Sequence, residues 1–73
     1  MDFLSQTKTF NLTKREFEVL NLLIEGKKNN EIAKILMITR HTVKAHITNI
    51  FYKLSVHDRV QAVVKAIKEG LVE

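Results

Sequence analysis

An all-α domain of four short helices containing a helix-turn-helix is what this sequence predicts, and three observations lead there. Apolar residues recur at three- and four-residue spacing in separate stretches along the chain. Each stretch opens on a side chain suited to capping a helix N-terminus. Proline is absent, and the two glycines, Gly26 and Gly70, stand where helices would end. At 73 residues the chain makes one small domain, and 45% hydrophobic residues supply one modest core.

The first helix has a reciprocal capping box. Thr13 is its N-cap and Glu16, three residues on, is the return partner, while Leu12 and Phe17 are spaced as a hydrophobic staple. Phe17, Leu20, Leu23 and Ile24 then form an apolar stripe that stops at Gly26. Asn29 or Asn30 is expected to cap a short second helix with Ile32, Ala33 and Leu36 on its inner face. The pattern breaks at Met37-Ile38, and Thr39 offers the next cap. A longer third helix spans about 40–54, with Val43, Ile47, Ile50, Phe51 and Leu54 inward. Asp58 and Gln61 form the last cap pair, and the fourth helix runs to about Gly70. Residues 1–11 are polar with scattered Phe3, Leu4 and Phe10; they read as a tail or the end of a linker, ahead of a domain over 12–73.

Composition excludes several classes. Without cysteine there is neither a disulfide nor a thiolate metal site. The longest aliphatic run, Ile35 to Ile38, is far short of the roughly 18 apolar residues of a membrane span. No basic segment followed by an apolar run marks a signal peptide, so a cytoplasmic location is expected. His41 and His46 are five apart and point to different sides of a helix, so they do not chelate one metal. No pairing of carboxylates or histidines suggests an enzyme, and no cofactor is expected.

Net charge is +4, and its distribution says more than its size. Over residues 27–59, Lys27, Lys28, Lys34, Arg40, Lys44, Lys53 and Arg59 stand against only Glu31 and Asp58, whereas the flanking segments are close to neutral. A polyanion suits such a segment. The short connection between the second and third helices, with Ile32, Leu36, Ile38 and Val43 around it, has helix-turn-helix spacing. Ala33 suits the close crossing, and Met37 stands where many such turns place glycine. On a helical wheel, the outer face of the third helix presents His41, Lys44, Ala45, Thr48, Asn49 and Tyr52. From Met37 to Val56 there is neither Asp nor Glu, as expected of a helix that lies against phosphates. Lys44 has the reach to donate to guanine, Thr48 to bond a base edge and Ala45 to touch a thymine methyl, with His41 a further base contact. Thr39, Arg40 and Thr42 at the helix start, Lys28 and Asn30 at the start of the second helix, and Lys53 late in the third are the expected phosphate contacts.

These residues carry a resemblance. Leu12-Thr13-x-Arg15-Glu16-x-Glu18-Val19-Leu20, then Gly26, Asn30-Glu31-Ile32-Ala33, Thr42-Val43-Lys44-x-His46-Ile47-x-Asn49-Ile50, Lys53-Leu54-x-Val56 and Arg59-x-x-Ala62-Val63 are similar to the LuxR-type (GerE/NarL-like) helix-turn-helix. It covers residues 12 to about 72. The resemblance implies a four-helix DNA-binding module of a bacterial transcription regulator, reading bases through Lys44, Ala45 and Thr48. The implied partners are double-stranded DNA, a second copy of the chain and RNA polymerase. Two arrangements stay open, a free-standing regulator and the output domain of a response regulator. Ser55 departs from the family, which commonly has glycine there.

The fourth helix is apolar over about 200° of its circumference, more than the roughly 100° stripe that one core needs. Ala62, Val63 and Ala66 are expected to face that core. Val60, Val64 and Ile67 are then left for the same helix of a second chain, unless the N-terminal Phe3 and Leu4 cover them. Two rival readings are a sigma-factor region-four-like domain and a protein-interaction module built on the fourth helix.

Overall fold

A computed structural model describes residues 10–71. Four helices occupy them: α1 (Lys14–Ile24), α2 (Asn29–Leu36), α3 (Arg40–Leu54) and α4 (Arg59–Lys68). The N-caps account for where each begins. Thr13 Oγ1 accepts the Glu16 N–H at 3.1 Å while Glu16 Oε1 accepts the Thr13 N–H at 2.9 Å, completing the expected box. Thr39 Oγ1 accepts from the Thr42 N–H at 3.1 Å, and Asp58 from the Gln61 N–H at 2.9 Å. The second helix departs from expectation. Lys28, not an asparagine, precedes it, and the Lys28 N–H donates to Glu31 Oε1 at 2.7 Å. The asparagine amides are occupied elsewhere, Asn29 Oδ1 by Arg59 and Asn30 Oδ1 by Arg40.

All four helices close in one way. A residue in the left-handed region follows the last turn, and the next N–H reaches back to the carbonyl five residues earlier. The left-handed positions are Gly26, Met37, Ser55 and Gly70. The closing bonds run from Lys27 to Leu22, Ile38 to Ala33 and Val56 to Phe51 at 3.0 Å each, and from Leu71 to Ala66 at 2.8 Å. Ile38, Val56 and Leu71 are thereby turned onto the core. Left-handed backbone costs an L-residue roughly 1–2 kcal/mol. Met37 bears that cost in the turn of the helix-turn-helix, and Ser55 bears it at the end of the second motif helix.

The core joins Val19, Leu20 and Leu23 of α1, Ile32 and Ala33 of α2, Val43, Ile50 and Leu54 of α3, and Ala62 and Ala66 of α4, with Leu12 and Leu71 closing its ends. The long α3 packs against each of the other three helices. Its inner face is thus fixed from three sides, which holds its outer face in one orientation. Residues 10 and 11 are folded onto the domain rather than trailing from it. Phe10 packs against the core beneath Lys65, whose Nζ lies 5.3 Å from the ring centroid, and the Asn11 carbonyl accepts from Lys53 Nζ at 3.0 Å. The rest of the expected tail, residues 1–9, lies outside the described residues.

Candidate nucleic-acid interface

Packing divides α3 into two faces. Val43, Ile50 and Leu54 are fully buried, and Ile47 and Phe51 are half-buried against them. Arg40, His41, Lys44, Ala45, Thr48, Asn49 and Tyr52 are exposed. The four residues expected to read bases, His41, Lys44, Ala45 and Thr48, therefore lie together on the surface with no carboxylate in their helix.

The start of α3 gathers several of the expected phosphate contacts. Arg40 Nη1 donates to Asn30 Oδ1 at 3.3 Å, tying the N-termini of the two motif helices together. Asn29, Asn30, Arg40, His41 and Lys44 line one shallow depression there. Thr39 and Thr42 face each other at 3.0 Å between hydroxyls, one of them already the cap. No acidic side chain lies in the first turn of α3, so the positive end of the helix dipole is uncompensated and suited to a phosphate. Lys28 stands exposed at the N-terminus of α2.

Lys53 stands apart from this group. Its ammonium is 2.7 Å from Glu16 Oε1 and also donates to the Asn11 carbonyl. Glu16 is buried. Burial alone would raise its pKa, but the Lys53 and Thr13 hydrogen bonds together with the Lys53 charge outweigh it and hold the carboxyl below its ordinary value. The positive charge of Lys53 is therefore directed inward.

Sequence reasoning missed the structural part played by Arg59. Its guanidinium donates to the Lys27 carbonyl and, at 3.4 Å, to Asn29 Oδ1. It thus fastens the start of α4 to the loop that leads into α2. A contact between residues about thirty positions apart leaves no local signal in the sequence.

On α4, Ala62 and Ala66 are fully buried, whereas Val60, Val64 and Ile67 are 72%, 47% and 56% exposed. Val56, Val60 and Val64, with Gln61, Lys65, Lys68 and Glu69, line a groove along this side. Phe3 and Leu4, the alternative cover, lie outside the described residues. Among the described residues no group of His, Asp or Glu is gathered to hold a metal, and no helix is long and apolar enough to cross a membrane.

Fold and surface together define a helix-turn-helix domain whose second motif helix presents a basic, carboxylate-free face. The family model for bacterial regulatory proteins of the luxR family matches residues 10–66. The chain belongs to that family. It is 59% identical over 61 residues to the transcriptional regulatory protein LiaR of Bacillus subtilis, covering 84% of this chain and 29% of LiaR. The solved transcription factor GerE superposes with a TM-score of 0.80 at 33% identity, over 90% of this chain and 97% of GerE. VqmA of Vibrio cholerae, solved with ligand and DNA, superposes at 0.82 and 34% identity, over 97% of this chain and 31% of VqmA. The chain spans less than a third of the length of the curated relatives it matches.

Proposed function

We propose that this chain is the sequence-specific, double-stranded DNA-binding domain of a bacterial transcription regulator, with α3 in the major groove. The observation that carries the reading is the outer face of α3: four exposed base-reading candidates in a helix without a carboxylate, with Arg40 and Asn30 joined at its start. A merely solvated helix gains from interspersed Glu and Lys; a helix held against phosphates loses by any acid. Lys44, Ala45, Thr48 and His41 read the bases. Lys28, Asn30, Thr39, Arg40 and Thr42 hold the flanking phosphates. Lys53 is left out of that set because its ammonium is already bound by Glu16 and Asn11. The domain over 12–73 works as a homodimer through Val60, Val64 and Ile67. It acts in the cytoplasm on promoter DNA and hence on RNA polymerase, as a free-standing regulator or as the output domain of a response regulator. The relatives named as response regulators support the second arrangement. No catalytic role is assigned to any residue.

A mobility shift across a salt series tests the reading. Affinity for duplex DNA is expected to fall steeply from about 50 to 200 mM salt as neutralised phosphates release counterions. Undetectable binding to long duplex at low salt overturns it. Selection from random duplexes then reports the half-site and, through spacing, the dimer geometry.

A further inference from the structure

Tyr52 is given no role by the proposed DNA contacts, yet it is the exposed large hydrophobic side chain of α3, at 85%. We infer that Tyr52 is a further DNA-contact residue, its phenol hydroxyl donating to a backbone phosphate at the wall of the groove. The inference rests on the DNA-binding reading and extends it to the C-terminal half of α3.

Helix geometry supplies the first support. Eleven positions separate Tyr52 from His41, so at 100° per residue it returns to within about 20° of the same line. It stands in the centre of the stripe formed by His41, Ala45 and Thr48. Along the axis it lies one turn, about 6 Å, beyond Thr48 and about 12 Å beyond Lys44. The major groove is about 12 Å wide. With Lys44 and Thr48 over base edges, Tyr52 reaches the side of the groove, where phosphates lie. Chemistry supplies the second support. The one cation in the last turn of α3, Lys53, is bound to Glu16 and Asn11. An outward hydrogen-bond donor at this end of the helix is therefore the Tyr52 phenol. Tyrosine hydroxyls are among the groups that donate to phosphate oxygens.

Tyr52→Phe keeps the ring and removes only the hydroxyl, at a surface position that does not affect folding. On the selected duplex its affinity is expected to fall by about three- to tenfold, equally on mismatched duplexes. The slope of affinity against salt stays unchanged, because a neutral donor releases no counterion. Tyr52 is also the sole tyrosine in a chain without tryptophan or cysteine, so tetranitromethane nitration of the wild-type chain reports on this phenol. Saturating duplex is expected to protect it. If wild type binds duplex but Tyr52→Phe binds equally well and nitration proceeds unprotected, the inference is overturned and the DNA-binding reading stands. A loss confined to one base position makes Tyr52 a base reader and overturns the phosphate contact. If wild type itself binds no duplex, both readings fail together.

Discussion

The Lys53 ammonium and the Glu16 carboxylate meet at 2.7 Å, joining the last turn of α3 to the first turn of α1. The same carboxylate oxygen accepts the Thr13 N–H, so one buried oxygen serves both a tertiary contact and a helix cap. The pKa of Glu16 is lowered in the folded chain, so its ionised form stabilises the fold in full above the ordinary carboxyl value of 4.5. That contribution is lost as pH falls through the lowered folded value. Glu16→Gln is expected to cost about 1–2 kcal/mol near pH 7. The gap between wild type and variant narrows as acid protonates the wild-type residue. Denaturant melts of both proteins from neutral to strongly acid pH check this; a gap that stays constant shows that the charge is not what stabilises.

Met37 is 90% exposed and Ser55 is also on the surface, and both hold left-handed backbone. Their side chains therefore contribute little packing to set against the strain. Met37→Gly and Ser55→Gly are each expected to stabilise by about 0.5–1 kcal/mol, the relief of strain exceeding the extra chain entropy of glycine. Gly26→Ala is the converse. A Cβ there meets nothing within 4 Å, so a loss of about 1 kcal/mol would come from the backbone alone. Thermal melts of the three variants give the signs directly.

Lys44 lies exposed beside the Asn30–Arg40 contact. Lys44→Ala is expected to cost about 1–3 kcal/mol on the selected site and to relax one base position. Arg40→Ala weakens all duplexes alike and lowers the salt slope by about 1. Equal losses for Lys44→Ala on every sequence would place Lys44 on a phosphate instead.

Val64 is about half exposed on the outer side of α4 while Ala62 and Ala66 face the core. Val64→Glu should leave the monomer folded and abolish self-association, with the loss of DNA affinity that a single half-site entails. Light scattering with and without duplex measures it. An unchanged oligomeric state excludes this stripe as the contact.

Local information was legible in the sequence, and relations between distant residues were not. The Thr13–Glu16 box, the Thr39 and Asp58 caps, the break at Met37 and the core positions of α3 all follow from spacings of three to five residues. The cap of α2 was misread because Asn29 and Asn30 are good caps in isolation. Arg59 and Arg40, distant in sequence, draw their amides away. A lysine late in a basic helix usually points to solvent, which is the local ground for expecting Lys53 at a phosphate; its ion pair with Glu16 has no local signal. Glu16 is 37 positions earlier, beyond the reach of any local pattern. The fate of Phe10 was hidden for the same reason, since its partner Lys65 lies on the last helix.

The uniform closure of the helices bears on how fast this chain finds its fold. Every helix starts at a cap set by a residue three positions away and ends in a bond spanning five. The boundaries are thus encoded by near-neighbour contacts, short helices like these gain their stability on packing, and the docking of α1, α2 and α4 onto α3 is what requires a search through distant pairings. Chains dominated by such near-neighbour interactions collapse to the native state in roughly microseconds to milliseconds. Newly made copies would then spend little time with the valines and leucines of the core open to one another, an advantage for a chain whose surface already carries the apolar strip of Val60, Val64 and Ile67.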